Sequence, residues 1–312
     1  MKKIYVTPSD NLQNILDGLD GPATIYLKKG IYYTKVEIKK SGVVLIGESR
    51  ETTIITYDDY ARKIHADGKE YNTFRTYTVC VSGESIRMEN LTVINSNTDP
   101  STAGQCVALS VNAKSFYAKN IALKSMQDTL FLAPFPDDLV VRYRGFIPEN
   151  QLYIQGTSLH LFEDCEISGT VDFIFGGAEA YFKNCRITSL SDKRGTGFIA
   201  APCHHLVQNN GFCFIDCNLT NGGAGENEVF LARPWRDFGK CAFINCSLDN
   251  HVNPVLFDKW NDTDRDKTAR FYYYGLKSSS PLHPVSWAKE LTESQANEII
   301  KRCNAHFNDN NI

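Results

Sequence analysis

The sequence has no run of apolar residues near the roughly 18 needed to cross a bilayer, so a membrane-spanning helix is not expected. It has no C-x-x-C pair among its ten cysteines, and its seven histidines never stand with cysteines at zinc-finger spacing, so a structural zinc site has no ligand set in the sequence. The nearest approach is Cys203-His204-His205, and adjacent side chains rarely point at one ion. G-x-S-x-G, G-x-x-x-x-G-K-[ST] and H-E-x-x-H are all missing, which removes support for α/β serine hydrolases, P-loop enzymes and the common zinc proteases. An excess of either charge is missing too. The 33 Lys and Arg against 36 Asp and Glu leave a formal net charge of -3, with no basic stripe for nucleic acid and nothing to draw in an anionic polymer unless cations cluster locally. The acidic run Asp262, Asp264, Asp266 starts like a calcium loop, but Lys267 stands where the sharp-turn glycine belongs and Tyr273 where the closing Glu belongs. A solvated turn is expected there.

No apolar stretch of a secretory leader follows the basic start Met1-Lys2-Lys3, since Ile4-Tyr5-Val6 gives way at once to Thr7-Pro8-Ser9-Asp10. The expectation is a cytoplasmic protein as the sequence stands, or a secreted one whose leader has been removed. At 312 residues, 42% hydrophobic and 22% charged, the chain is long enough and apolar enough for a substantial core, and no linker-like stretch divides it. One domain over residues 1–312 is expected, acting as a monomer.

What the sequence does contain is a repeat. An aromatic, any residue, Asp or Asn, Cys, any residue, then Ile or Leu occurs at 162–167, 182–187, 214–219 and 243–248, placing Cys165, Cys185, Cys217 and Cys246 at equivalent positions. Two looser copies, at 88–93 and 118–123, keep Asn90 and Asn120 and put Leu91 and Ile121 in place of the cysteine. Each copy alternates inward and outward residues like a half-buried strand, and copies recur every 20 to 44 residues or so. Stacked coils of a parallel β-helix produce this pattern, with columns of small apolar side chains filling the core. A rival reading pairs Cys165 with Cys185, one coil apart, as a disulfide. Short helices are expected to cap both ends. Ser9 or Asp10 would cap a helix carrying Leu12, Ile15, Leu16 and Leu19, and strands would follow at 24–27 and 43–46. Thr292 and Gln295 form a capping box before Ala296, Ile299, Ile300 and Cys303 at helical spacing.

Two strand-like segments each hold an acid among apolar residues: Gln127-Asp128-Thr129-Leu130-Phe131 and Gly169-Thr170-Val171-Asp172-Phe173-Ile174-Phe175-Gly176-Gly177. Burying a carboxylate this way is costly unless it is paired, and burial raises its pKa, which suits an acid catalyst. A structural Asp satisfied by backbone N–H groups is the plain alternative. Ala232-Arg233-Pro234-Trp235 adds a guanidinium able to grip a carboxylate and an indole face suited to a sugar ring.

Together with Gly104-Gln105-Cys106-Val107-Ala108-Leu109, these segments resemble, in order, the signature blocks of the pectin methylesterases: G/H-Q-x-V-A-L, Q-D-T-L, G-x-V-D-F-I-F-G and G-R-P-W. The resemblance runs from the stretch at 25–32 to Trp287 and Leu291-Thr292. Ala232 replaces the usual glycine, and the stretch at 255–260 departs from the family's G-W-x-x-W, which puts a substrate subsite in question rather than the chemistry. The resemblance implies an all-β fold, a single-stranded right-handed parallel β-helix, and hydrolysis of the C6 methyl esters of polygalacturonate without metal or cofactor. It implies Asp172 as nucleophile, Asp128 as general acid and then base, Gln105 and Gln127 as oxyanion donors, and Arg233 as the group that orients Asp172. Trp235, Phe175 and Trp260 are the candidates for contact with pectin or a methylated oligogalacturonate. Other readings are an esterase or thioesterase of another small acyl substrate on the same site, or a carbohydrate-binding solenoid without activity. A pectate lyase would need a calcium-binding acidic cluster, for which the sequence offers no candidate.

Overall fold

The six-residue repeat marks one bend of each coil. In the computed structural model, which describes residues 2–152 and 157–309, the Asp or Asn of the repeat is the residue that turns the chain. Asp164, Asn184, Asp216 and Asn245 have φ of 55°, 55°, 54° and 56°, and Asn90 and Asn120 in the looser copies have 52° and 50°. This left-handed conformation is the one that short polar side chains tolerate best, and stacking adds a ladder between them. Asn120 Nδ2 donates to Asn90 Oδ1 at 2.7 Å, and Asn184 Nδ2 to Asp164 Oδ1 at 2.6 Å.

Either side of that bend, strands from successive coils pair in parallel, and the chain winds as a right-handed parallel β-helix with three sheets of 11, 9 and 7 strands among the described residues. The aromatic of the repeat points inward. Phe162, Phe182, Phe214 and Phe243 stack face to face with ring centroids 4.8, 4.6 and 4.4 Å apart and planes within 13° of parallel. The cysteines fill the next column. All ten cysteines are free and buried, so the Cys165–Cys185 bridge is not formed. The thiols of the repeat cysteines instead donate weakly to core carbonyls, as Cys185 does to Phe162 O at 3.5 Å and Cys217 to Phe182 O at 3.3 Å.

The ends depart from expectation in two details. The first helix, Leu12–Asp17, is capped by Asn11, whose side chain accepts from Asn14 N at 2.9 Å, and not by Ser9 or Asp10. Asp10 is already engaged in closing a turn onto the backbone N–H and hydroxyl of Thr7, both at 2.7 Å. At the other end, Thr292 and Gln295 do form the reciprocal capping box, Gln295 Oε1 accepting from Thr292 N at 2.9 Å. The helix they start, Glu293–Asp309, is 17 residues long and is no short cap. Ala296, Cys303 and Phe307 bury the outer face of the largest sheet at Tyr117, Leu161, Tyr181 and Cys213, which would otherwise expose a wide apolar surface.

The seven-stranded sheet carries the site. Its strands include Leu109–Val111, Leu130–Leu132, Val171–Gly176, Gly197–Pro202 and Val229–Ala232, and the long connections before and after them rise as walls over its outer face. A second apolar cluster lies outside the cylinder, where Phe74, Phe131, Phe135, Leu139, Tyr143 and Phe175 pack together. The helix Asp137–Tyr143 is held on the sheet by this cluster.

Candidate active site

Strand register stacks the two acids. Leu130 pairs with Ile174 and Phe131 with Phe175, so Asp128 and Asp172 occupy equivalent positions on adjacent coils, and Asp128 N donates to Val171 O at 3.1 Å. Both have left-handed backbones, with φ of 64° and 50°. At Asp172 this conformation coincides with an irregularity in pairing to the next strand, between Val171 and Ile174. A bulge of this kind breaks the alternation of side chains. Phe173 and Ile174, though consecutive, both enter the core, while Asp172 and Phe175 face the cleft. This resolves how an acid can sit in an apolar strand without being buried inside the cylinder.

Arg233 follows the strand Val229–Ala232, two coils beyond Asp172. Its backbone N–H donates to Ala200 O at 3.0 Å, and its guanidinium reaches back across the intervening strand to Asp172, Nε to Oδ1 at 2.8 Å and Nη2 to Oδ2 at 2.6 Å. The guanidinium is clamped between two aromatic faces, Phe198 at 3.8 Å and Trp260 at 4.0 Å from the ring centroids. Planar cation, flanking rings and bidentate carboxylate define one orientation.

The electrostatic environments of the two acids diverge. Burial raises the Asp172 pKa, and the hydrogen bonds and charge of Arg233 pull it partly back, leaving it above the usual carboxylate value. Among the described residues, Asp128 has no arginine in ion-pair contact with it. Burial and the neighbouring Asp172 charge push it well above the usual range, opposed more weakly by the Gln127 side chain and the charges of Arg233 and Arg194.

A cavity of about 430 Å³ brings the expected residues together: Gln105, Gln127, Asp128, Asp172, Phe175, Arg233, Trp235 and Trp260 all line it. Phe175 is buried beneath the edge of Trp235, ring centroids 5.6 Å apart, and so supports that indole more than it faces the opening. Trp260 covers Arg233 and has φ of 72°, a strained backbone for a bulky residue, held by Asp258 Oδ1 accepting from its N–H at 2.8 Å. Cys203-His204-His205 has no ligand role in its buried histidine. Both ring nitrogens of His204 are taken by backbone, Nε2 with Ala178 O at 2.7 Å and Nδ1 with Lys240 N at 3.2 Å. Among the described residues, no group of three or more His, Cys, Asp or Glu side chains is placed to hold a metal ion, Asp262, Asp264 and Asp266 included.

The sequence reading missed several lining residues. Arg236, next to Trp235, pairs with Asp138 through Nε at 3.0 Å and Nη2 at 2.7 Å and fixes the helix Asp137–Tyr143 at the rim. Its adjacency to the Arg-Pro-Trp step was the available signal. Asn72, Phe74, Arg142 and Tyr143 also line the cavity and carry no local motif. Arg194, from the loop after the strand Arg186–Leu190, does not line this cavity but donates to Gln127 Oε1 behind it.

The sequence profile of the pectinesterase family matches residues 3–134 and 137–307. The chain belongs to the pectinesterase family. That membership makes it a carboxylic ester hydrolase. Pectinesterase 31 of Arabidopsis thaliana is 29% identical over 305 residues, covering 95% of this chain and 87% of that protein. A pectin methylesterase from Yersinia enterocolitica superposes with a TM-score of 0.74 at 26% identity, over 92% of this chain and 96% of that one. A pectin methylesterase solved in complex with a hexasaccharide superposes with a TM-score of 0.77 at 24% identity, over 96% and 95% of the two chains, a likeness of fold.

Proposed function

We propose that this pectinesterase-family protein hydrolyses the C6 methyl esters of galacturonate in pectin or methylated oligogalacturonates, releasing methanol, with Asp172 as nucleophile and Asp128 as general acid and base. The observation that carries this reading is the pair of stacked carboxylates in one cleft, one gripped by an arginine and one left to protonate. Asp172, ionised and held by Arg233, attacks the ester carbonyl carbon. The carbonyl oxygen becomes an oxyanion, for which the amide N–H groups of Gln105 and Gln127 are preorganised donors. As the tetrahedral intermediate collapses, the C–O bond to methoxide breaks and Asp128 supplies the proton that makes it methanol. The resulting anhydride joins Asp172 to the substrate's acyl group. Asp128, now a carboxylate, takes one proton from water as the hydroxyl adds to the acyl carbon. The anhydride then opens, returning ionised Asp172, protonated Asp128 and a galacturonic acid.

The Trp235 indole at the cleft edge suits the apolar face of a sugar ring, and the related enzyme solved with a hexasaccharide supports an oligosaccharide as ligand. The test is methanol release from pectins and oligogalacturonates of defined methylation. Release from simple acyl esters with none from methylated galacturonates would overturn the substrate assignment.

A further inference from the structure

The side-chain amide of Gln127 has two chemically opposite ends, and its hydrogen-bond partners decide which end faces the ester. The loop between the strands Arg186–Leu190 and Gly197–Pro202 supplies those partners. Asp192, with a side chain 4% exposed, accepts from Arg194 Nε at 2.8 Å, from Nη2 at 2.6 Å and from the Arg194 backbone N–H at 2.9 Å. One edge of the guanidinium is thereby anchored inside its own loop. Its outer edge presents Nη1 and Nη2 to Gln127 Oε1, each at 3.2 Å, across 67 residues of sequence. A carbonyl oxygen has two lone pairs, and both are engaged by the cation. The amide N–H groups are left for the other side, toward the cleft and Asp128.

We infer that Arg194, anchored by Asp192, is a positioning residue that locks the Gln127 amide with its N–H end toward the reacting carbonyl. The inference rests on the proposed ester hydrolysis, in which that N–H meets the developing oxyanion. A flipped amide would present a carbonyl oxygen to the same oxyanion and turn an attraction into a repulsion. Asp128 favours the N–H end of the amide only while it is ionised, and the guanidinium supplies a preference that does not depend on that charge. Asp192 keeps the guanidinium from swinging into the cleft as a free cation, where its charge, 51% exposed at the side chain, could instead grip a substrate carboxylate.

A double-mutant cycle separates these roles. Arg194→Met should lower kcat by roughly 10- to 100-fold with KM within about twofold, because the loss falls on the transition state. In a Gln127→Ala background the same change should add nothing, since the group it orients is gone. Arg194→Lys, with a single donor nitrogen and no planar fork to span Asp192 and Gln127, should recover only part of kcat. A rise in KM at unchanged kcat, or full additivity with Gln127→Ala, would overturn the positioning role in favour of a substrate-carboxylate clamp. Should wild-type protein release no methanol from any methylated galacturonate, the functional reading fails first, and the amide can still be read by NMR. Side-chain ¹⁵N–¹H signals of Gln127 should be dispersed and slow to exchange in the wild type and collapse toward free-amide values in Arg194→Met. Signals unchanged by that substitution would overturn the lock.

Discussion

Asp128 and Asp172 share a position on adjacent coils, a left-handed backbone and an exposure of 8%, and only Asp172 of the two is gripped by the Arg233 guanidinium. Two neighbouring carboxylates cannot both ionise cheaply, so the arginine decides which one does. Arg233 favours the charge on Asp172, and burial beside that charge favours the proton on Asp128. A bell-shaped pH dependence of kcat/KM follows, with an acid limb from Asp172 above the ordinary carboxylate value and an alkaline limb from Asp128 lying well above that.

Asp172→Asn should abolish methanol release while leaving the fold intact, because an amide oxygen is too weak a nucleophile to form the anhydride. Asp128→Asn should also be severely impaired yet still bind substrate. Isothermal titration with a methylated oligogalacturonate and a methanol assay on the same preparations check both, and near-wild-type turnover in Asp172→Asn would remove it as nucleophile.

Stability gives an independent reading of Asp128. Its folded-state pKa is raised, so the stability it contributes is fully present below the unfolded pKa of about 3.9 and is lost as pH rises through the folded value. Above pH 4 the unfolded chain gains by ionising while the buried carboxyl does not, at about 1.4 kcal/mol per pH unit. Asparagine does not titrate. Asp128→Asn should therefore match wild type near pH 4 and become progressively more stable than wild type as pH rises from there up to the folded pKa, as measured by urea unfolding. A stability difference constant with pH would contradict the raised pKa.

Much of this molecule could be read from local pattern because a solenoid repeats its solution. Phe162 and Cys165 announce the coil, and the Asp or Asn between them announces its bend, since each copy meets the same neighbours. The motif residues around Asp128, Asp172 and Arg233 were legible for a related reason: an acid or an Arg-Pro-Trp step interrupts an apolar strand. What stayed hidden depends on contacts far apart in sequence. Arg194 in its polar loop looks like any solvated arginine until Gln127, 67 residues away, is placed beside it. The bulge that turns Asp172 outward leaves no mark in composition, and the cap of the first helix moved to Asn11 because Thr7 had claimed Asp10.

Trp260 tests whether the aromatic clamp matters apart from any sugar contact. Trp260→Asn keeps a side chain that tolerates the left-handed backbone and removes the ring from Arg233. A cation–π contact of this kind is worth about 0.5–2 kcal/mol, so kcat should fall roughly 2- to 30-fold. A change in KM alone, with kcat intact, would make the indole a sugar contact and not a support for the guanidinium.

Arg233→Lys is the sharpest test of how Asp172 is kept ionised. A lysine preserves the charge but loses the planar fork that donates at 2.8 and 2.6 Å, and it cannot stack between Phe198 and Trp260 as a guanidinium does. With its strongest stabilising contacts gone and burial unchanged, Asp172 should protonate more readily, so its pKa rises. Because the proposed mechanism uses Asp172 as an ionised nucleophile, the acid limb of kcat/KM should move to higher pH, and turnover at the optimum should fall by roughly 10²-fold or more from misorientation of the carboxylate. If Arg233 served only to tie its loop to the sheet, the same substitution would lower Tm while the folded fraction kept a normal pH profile and near-normal kcat. Measuring both on one preparation separates the alternatives, and an unshifted acid limb with full activity would count against the orienting role.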